Sequence, residues 1–221
     1  MCGRYALTNP GEVITRFAVA LPDPTWLRPR YNIAPGQTVL VVLEDQERRL
    51  DRFRWGLIPH WAKDAKVGYR MINARAETVH ERPSFRRSLQ HKRCLIPADG
   101  FFEWQGFGKE KTPIHIKLKS GQIFAFAGLY DSWRSPEGES VNSCTIITTS
   151  PNDLMAPIHD RMPVILDEEA EEAWLSPHIV EPEQLLPLLR PYPPQAMKAY
   201  PVSALVNSPR YDSPACIEPA E

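Results

Sequence analysis

Residues 114–129 read IHIKLKSGQIFAFAGL and contain the clearest strand signal in the chain. In the first half, apolar side chains alternate with a histidine and two lysines, a pattern that is typical of a half-buried strand. A Ser-Gly turn signal at 120–121 separates this half from a nearly continuous apolar run over 123–129. We therefore expect two strands, 114–118 and 123–129, joined as a β-hairpin.

Similar patterns extend to both sides of this segment. The other strands that we expect cover 39–43, 50–57, 93–96, 101–104 and 141–148. The helices that we expect cover 11–18, 83–90, 167–175 and 182–190, with one more short helix capped by Ser150. The 23 prolines are spread along the chain and favour many short elements. From Pro191 onward the sequence is proline-rich, and we expect an irregular tail with a loose end.

These patterns together predict an α+β fold. We expect one domain over residues 1–221, with a core of about 2–202, because no stretch has the composition of a linker. Strands dominate the middle of the sequence and short helices flank them. The architecture that we expect is a curved, mainly antiparallel β-sheet or partial barrel with short helices around it.

Composition excludes several classes of protein. No apolar run approaches the length that spans a membrane, and the first residues do not have the pattern of a secretory signal. The four cysteines, Cys2, Cys94, Cys144 and Cys216, form no CxxC pair and have no histidine at metal-ligand spacing. We therefore expect no metal, no other cofactor, no disulfide framework and a reducing, cytoplasmic location.

The net charge of −1 hides an asymmetry between the two halves. Residues 1–100 contain 17 Lys/Arg and 10 Asp/Glu, a net charge of +7, whereas residues 101–221 have a net charge of −8. A basic face on a neutral protein is compatible with a polyanionic partner. An ordinary solvated surface explains the charges equally well.

Cys2 is the residue with the most distinctive chemistry. Methionine aminopeptidases remove Met1 when the next side chain is small, so Cys2 would then carry a free α-amine beside its thiol. The usual pKa values, about 7.7–8.0 for the amine and about 8.5 for the thiol, leave both partly deprotonated near neutral pH. Such a 1,2-aminothiol traps an aldehyde, first as an imine and then as a five-membered thiazolidine. For an arbitrary protein, however, a cysteine at position 2 is usually accidental.

Three further residues are candidates, although each has an ordinary structural explanation. Glu103 lies between two aromatic residues on an expected strand, where desolvation would raise its pKa and suit it to proton transfer. It could equally be an edge-strand residue that faces water. His159 could be a surface histidine, and Asn73 could be a turn or cap residue.

Six short segments combine polar residues with aromatic or proline neighbours. They are Cys2-Gly3-Arg4-Tyr5, Tyr31-Asn32-Ile33-Ala34-Pro35, Trp55-Gly56-Leu57-Ile58-Pro59 with Trp61, Asn73-Ala74-Arg75-Ala76-Glu77, Gly100-Phe101-Phe102-Glu103-Trp104 and His159-Asp160-Arg161-Met162-Pro163. In this order and at these spacings they resemble the SRAP family, named for SOS-response-associated peptidase. The resemblance runs from Cys2 to about Val202.

The resemblance implies a single α+β domain that binds single-stranded DNA in a basic channel and links covalently to abasic sites. It implies that Cys2 is the nucleophile and that Asn73, Glu103 and His159 are its catalytic companions. The DNA-binding residues that it implies are Arg4, Pro35, Trp61, Arg75, Thr148 and Arg161. We expect the protein to act in the DNA damage response as a monomer, with abasic single-stranded DNA as its partner and no membrane association.

Two other functions remain open at this point. The first is a thiol peptidase that uses Cys2 and His159, of which self-removal of Met1 with help from Glu103 is a limited form. The second is a non-catalytic module that recognises a modified base. For two of the arginines, Arg75 and Arg161, the structural alternative is that they are buried partners of Glu77 and Asp160.

Overall fold

The computed structural model describes residues 2–20, 23–106, 108 and 111–220, and most of these residues lie in or between short β-strands. The first seven strands are β1 (Tyr5–Leu7), β2 (Arg30–Ile33), β3 (Thr38–Glu44), β4 (Arg48–Trp55), β5 (Asn73–Arg75), β6 (Arg93–Ala98) and β7 (Gly100–Gln105). The remaining strands are β8 (Thr112–Leu118), β9 (Phe124–Arg134), β10 (Ser140–Thr149), β11 (Met162–Pro163), β12 (Ile165–Leu166) and β13 (Met197–Pro201). All the strands expected from the sequence are therefore present.

Five of the strands close into a ring. Strands β10, β4, β3, β6 and β9 pair in that order, and β9 pairs back with β10. The pairings are antiparallel except between β10 and β4. Strand β5 also runs parallel to β10, while β11 and β12 extend the sheet. A closed ring leaves few free strand edges, and it confirms the α+β fold with a barrel-like core.

A second sheet packs beside this ring and has the order β13-β8-β7-β1-β2. Its existence corrects the expected hairpin, because β8 pairs with β7 and β13 while β9 belongs to the ring. The turn at 120–121 thus passes the chain from one sheet to the other. The apolar run of β9 is buried between β6, β10 and β12, so that these strands, rather than β8, satisfy its backbone.

The expectation that β8 is half-buried holds for Lys117 but not for His115. His115, on the face expected to meet water, is almost fully buried, as are its neighbours Ile114 and Ile116. Its Nδ1 atom lies 2.8 Å from the hydroxyl of Tyr200 on β13, and its ring lies beside that of Phe102. Burial lowers the pKa of His115 to about 3, so the ring is neutral and structural.

The helices are short, and they are α1 (Glu12–Arg16), α2 (Arg86–His91), α3 (Glu168–Leu175) and α4 (Pro182–Leu185). Asp167 caps α3 by accepting a hydrogen bond from the Ala170 N–H at 2.9 Å. The short helix expected after Ser150 is instead a series of turns over 153–158. Asn152, and not Ser150, fills the capping role there, because its Oδ1 accepts from the Met155 N–H at 3.0 Å.

The segment after Pro191 is more ordered than its composition predicts. It contains β13, and residues 202–220 continue as short turns that pack against β2. Asp212 accepts hydrogen bonds from the backbone N–H groups of Tyr31 and Asn32, and it pairs with the Arg30 side chain. Cys216 is fully buried. The segment is irregular, as its composition indicates, but Asp212 and Cys216 attach it to the rest of the protein.

The core lies between the two sheets and inside the ring. Tyr5 of β1 makes edge-to-face contacts with Trp55 of β4 and Phe126 of β9, with ring centroids 5.3 and 5.7 Å apart. These contacts join β1, which directly follows the Cys2 segment, to both sides of the ring. Among the helices of the described residues, none is long and apolar enough to cross a membrane.

Candidate active site around Cys2, Glu103 and His159

The pairing of β1 with β7 brings Cys2 and Glu103 together. Tyr5 lies opposite Phe101, and the Phe102 N–H donates to the Arg4 carbonyl at 2.9 Å, so residues 2–4 run alongside 102–104. Cys2 is fully buried, and its Sγ lies 3.9 Å from the Arg4 carbonyl oxygen. The local sequence thus places a thiol beside the strand that carries the acid.

The charges of the two side chains influence each other. Burial raises the pKa of the Cys2 thiol strongly, and the charge of Glu103 raises it further. Burial also raises the pKa of Glu103 to about 7. A carboxyl group with this pKa is half protonated at neutral pH and can both donate and accept a proton. The alternative in which Glu103 faces water is therefore wrong.

His159 approaches Glu103 from the turns that follow β10. Its Nε2 lies 3.9 Å from Glu103 Oε2. Its Nδ1 lies 3.0 Å from the Arg161 backbone nitrogen, which donates to it, and 2.9 Å from the exposed carboxylate of Asp160. Burial lowers the pKa of His159 below its usual value and outweighs the charge of Asp160, which favours the protonated ring. The imidazole is therefore mainly neutral at pH 7.

Asn73 is the candidate whose relation to the others is least direct. It begins β5, opposite Ile146 of β10, and its Nδ2 lies 3.5 Å from the Ile146 carbonyl oxygen. Its Oδ1 is buried and has no hydrogen-bond partner among the described residues. The interactions above join Cys2, Glu103 and His159, but they do not include Asn73. Its buried oxygen is an acceptor that a ligand could use.

Arg161 is paired, but with Glu77 and not with Asp160, its partner in the structural alternative. Its guanidinium makes a bidentate pair with Glu77, at 2.6 Å and 2.9 Å, and it donates to the Thr148 carbonyl at 2.6 Å. Asp160 instead contacts His159. Thr148 is fully buried beneath this pair, so its side chain does not lie on an open surface. Arg161 therefore connects β10 to the segment that follows β5.

Arg4 is likewise held by the protein. One of its terminal nitrogens donates to Asn32 Oδ1 at 2.7 Å and to the Val206 carbonyl at 2.6 Å. Asn32 is fully buried and donates in turn to carbonyl groups of residues 206–211. Its importance could have been recognised, because Asn32 lies within one of the six motif segments. The role of Asp212, which contacts the same strand, has no signal in the sequence.

The remaining DNA-binding candidates are more accessible. Arg75 is exposed and Pro35 is partly exposed. Trp61 is 54% exposed, which is unusual for so large an apolar side chain. Two further exposed aromatic residues, Tyr69 and Tyr211, were not singled out in the sequence, and the Arg54 guanidinium lies 5.0 Å from the ring centroid of Tyr69.

Comparison with known proteins identifies the family of this chain. The family described as "SOS response associated peptidase (SRAP)" matches residues 1–209. The chain belongs to the SRAP family. The SRAP match includes every candidate residue discussed above.

The relatives of this SRAP chain include proteins named for abasic-site processing. It is 53% identical to the abasic site processing protein YoqW of Bacillus subtilis, over 99% of both chains. It is 34% identical to the abasic site processing protein HMCES of Gallus gallus, over 100% of this chain and 78% of that one. A crystal structure of a protein from Bacteroides thetaiotaomicron has a TM-score of 0.90 at 31% identity and covers all of both chains.

Within the part of the SRAP chain that the structure describes, no group of three or more His, Cys, Asp or Glu side chains could hold a metal ion. The arrangement around Cys2 instead offers a nucleophile, a carboxyl group that is half protonated at pH 7, and a neutral imidazole. These groups suit nucleophilic addition with proton transfer.

Proposed function

We propose that this protein processes abasic sites in single-stranded DNA by forming a covalent cross-link through Cys2. The names of its relatives support the abasic-site substrate. The observation that carries the chemical proposal is the position of Cys2 beside Glu103, whose pKa is raised to about 7, with His159 at 3.9 Å from that carboxyl group.

The reaction begins with removal of Met1, which frees the Cys2 amine from its peptide bond. The ring-opened abasic sugar presents a C1′ aldehyde, and the amine adds to it to form a carbinolamine. Loss of one water gives the imine. The thiol then adds across the C=N bond, its proton moves to nitrogen, and a thiazolidine closes. No oxidant or reductant is consumed.

Each companion residue has a role in this sequence. Glu103 donates a proton to the departing water and accepts one from the amine, since carbinolamine formation and dehydration need both acid and base. His159 assists ring opening of the sugar. Asn73, through its buried Oδ1, positions the amine of Cys2. Rapid ring closure by the thiol competes with β-elimination from the imine and so protects the strand.

The same groups support self-processing. Residues 2–4 run alongside 102–104, so the Cys2 thiol can attack the Met1 carbonyl carbon with Glu103 as proton acceptor and donor. The Met1–Cys2 amide bond breaks as its nitrogen takes up a proton, and water then hydrolyses the resulting thioester, which releases methionine and restores the thiol. We therefore include removal of Met1 by the protein itself in the proposal. A general thiol peptidase is not supported, because His159 Nε2 faces Glu103.

DNA contact is assigned to the accessible residues first. Trp61 and Pro35 offer surfaces on which bases stack without sequence preference, a contact worth roughly 1–3 kcal/mol per base. Arg75 offers a charge to phosphate. Arg161 and Arg4 are second-choice candidates, because protein groups already hold their guanidinium groups. We expect the protein to act as a cytoplasmic monomer in the DNA damage response.

The decisive experiment is intact mass spectrometry after incubation with a single-stranded abasic oligonucleotide. We expect the wild-type protein, without Met1, to gain the mass of the oligonucleotide minus one water in a heat-stable adduct. Cys2→Ser should lose the stable product but retain an imine that borohydride traps. A heat-stable adduct of undiminished yield in Cys2→Ala would rule out the thiazolidine. An abasic-site complex that survives without any adduct would indicate a non-catalytic reader.

A second experiment separates the two motif arginines. Arg75→Ala should weaken binding of single-stranded DNA and reduce the slope of log K against log salt by about 0.7 for each phosphate that the variant no longer neutralises. Arg161→Ala should mainly lower the melting temperature, because it leaves Glu77 and the Thr148 carbonyl without their donor. Arg134→Ala, an exposed arginine at the end of β9, is the charge-matched control. A salt slope that changes equally in the control would remove Arg75 from the interface.

A further inference from the structure

A cavity of about 430 Å³ lies between the two sheets and is not used by the chemistry above. Strands β1 and β2 form one wall and β3 and β4 the other, while the turn that contains Trp26 covers one side. A volume of this size is within the range of small-molecule sites. Its polar lining consists mainly of arginine and threonine side chains, namely Thr25, Arg28, Arg30, Thr38 and Arg52.

The charge of this cavity is positive and only partly neutralised. Arg30 is neutralised by Asp212, and its guanidinium also donates to Gln37 Oε1 at 2.7 Å. Arg28 and Arg52, in contrast, form no salt bridge with any described residue. No acidic residue is part of the described lining.

Neither Asp23 nor Asp51 forms a salt bridge with Arg52, although the charges of Asp23 and Arg52 do interact. Asp23 accepts hydrogen bonds from the Thr25 N–H and hydroxyl, each at 2.8 Å. These bonds, and more weakly the charge of Arg52, lower the pKa of Asp23. Asp51 likewise forms its ion pair with Arg49 rather than with Arg52. Two guanidinium groups at the mouth of the cavity therefore keep donors for an anion.

The cavity also has an aromatic and apolar side. The Arg52 guanidinium lies 4.5 Å from the ring centroid of Trp26, a cation–π contact that fixes both side chains. The floor is formed by buried side chains of β1, β2 and β3, including Tyr5. A ligand that fits must therefore combine an anionic group with a planar or apolar portion.

We propose that this cavity is a second binding site, distinct from the Cys2 site, and that it takes a nucleotide. The phosphate contacts Arg28 and Arg52, and the base lies against Trp26 and the apolar floor. Guanidinium groups suit phosphate because their paired N–H donors match its oxygens. The nucleotide is either free in solution or the terminal nucleotide of a DNA strand, and the two sources share this chemistry.

The test is calorimetric titration of the full-length protein with 2′-deoxyadenosine 5′-monophosphate at low salt. We expect saturable binding that weakens about tenfold or more in Arg52→Gln and in Arg28→Gln, because each removes a charged donor. Arg134→Gln is the control, because it removes the same positive charge at a position outside the cavity. It should bind the nucleotide as tightly as the wild-type protein does. Deoxyadenosine, which lacks the phosphate, should bind more weakly than the nucleotide.

A matched pair of eight-residue thymidine oligonucleotides, with and without a 5′-phosphate, distinguishes the two sources. Preference for the phosphorylated strand that Arg52→Gln abolishes assigns the site to a strand end, whereas binding of the mononucleotide alone assigns it to a free nucleotide. The proposal is overturned if the affinities for the mononucleotide and the phosphorylated oligonucleotide are unchanged in Arg28→Gln and Arg52→Gln. It is also overturned if Arg134→Gln weakens binding of these probes as much as the cavity variants do. Cross-linking at Cys2 should be unchanged in Arg52→Gln, so failure of this site leaves the proposed function untouched.

Discussion

Two buried glutamates of this protein have similar pKa values and different surroundings. Burial raises the pKa of Glu103 on β7 and of Glu171 on α3 to about 7 in each case. Glu171 lies 2.9 Å from the guanidinium of Arg16, which is a permanent cation. Glu103 has a thiol and a neutral imidazole as its neighbours. A raised pKa therefore does not by itself indicate catalysis; a neighbour that can exchange a proton or act as a nucleophile does.

The largest difference between the two glutamates should appear in the rate of cross-linking. Glu103→Gln should slow adduct formation with abasic DNA by about 10²–10⁴-fold, the usual contribution of one acid/base group. Glu171→Gln, the matched control, should leave the rate within about twofold. Single-turnover kinetics on gels measures both, and DNA affinity should stay near the wild-type value in each variant. Equal rates of adduct formation in Glu103→Gln and Glu171→Gln would contradict a catalytic role that is specific to Glu103.

The second difference between the two glutamates should appear in how the cross-linking rate depends on pH. Each limb of the profile should change the rate by about tenfold per pH unit. The amine must be deprotonated to attack, so the rate should rise with pH toward its usual pKa of about 7.7–8.0. Dehydration of the carbinolamine needs the protonated form of Glu103, so the rate should fall as pH rises above about 7. Glu103→Gln should lose the falling limb, while Glu171→Gln keeps it. A falling limb that persists in Glu103→Gln would assign the acid to another group.

The smallest effect, on stability, should be shared by the two residues. A carboxyl group whose pKa is raised from 4.5 to about 7 binds more protons in the folded than in the unfolded state between these values. The free energy of unfolding should therefore fall as pH rises from about 4.5 to 7. Glu171→Gln removes this loss, which is on the order of 1–3 kcal/mol. Urea unfolding at pH 5 and pH 7.5 measures it, and Glu103→Gln should behave similarly. Identical pH slopes in wild type and both variants would contradict the raised values.

Local sequence patterns predicted the strands well and their partners poorly. The alternation in 114–118 and the apolar run in 123–129 each correspond to a strand, but the strands lie in different sheets. A turn signal of two residues describes only local geometry. The choice of partner depends on burial, since a strand covered on both faces needs neighbours on both edges. That information lies in residues far away in the sequence.

The candidate site was predicted through its motifs, and the structure adds the interactions. Cys2, Glu103 and His159 are separated from one another by at least 56 residues, and no helix or strand period relates them. In the structure, Glu103 nevertheless interacts with both Cys2 and His159. The structural alternative for Arg161 named Asp160 as its partner, which is adjacent in sequence, whereas Glu77 is adjacent in space. Neighbouring residues on an extended segment point to opposite sides, which favours the distant partner.

The hydrogen bonds from Arg4 and Asn32 to residues 206–211 have a consequence for biosynthesis. Translation produces Arg4 202 residues before Val206, whose carbonyl group accepts a hydrogen bond from it. A ribosome-bound chain that has not reached Val206 lacks these contacts, even when its earlier strands have already left the ribosome. The order of synthesis therefore delays assembly of the cysteine's surroundings until residues 206–211 have been made.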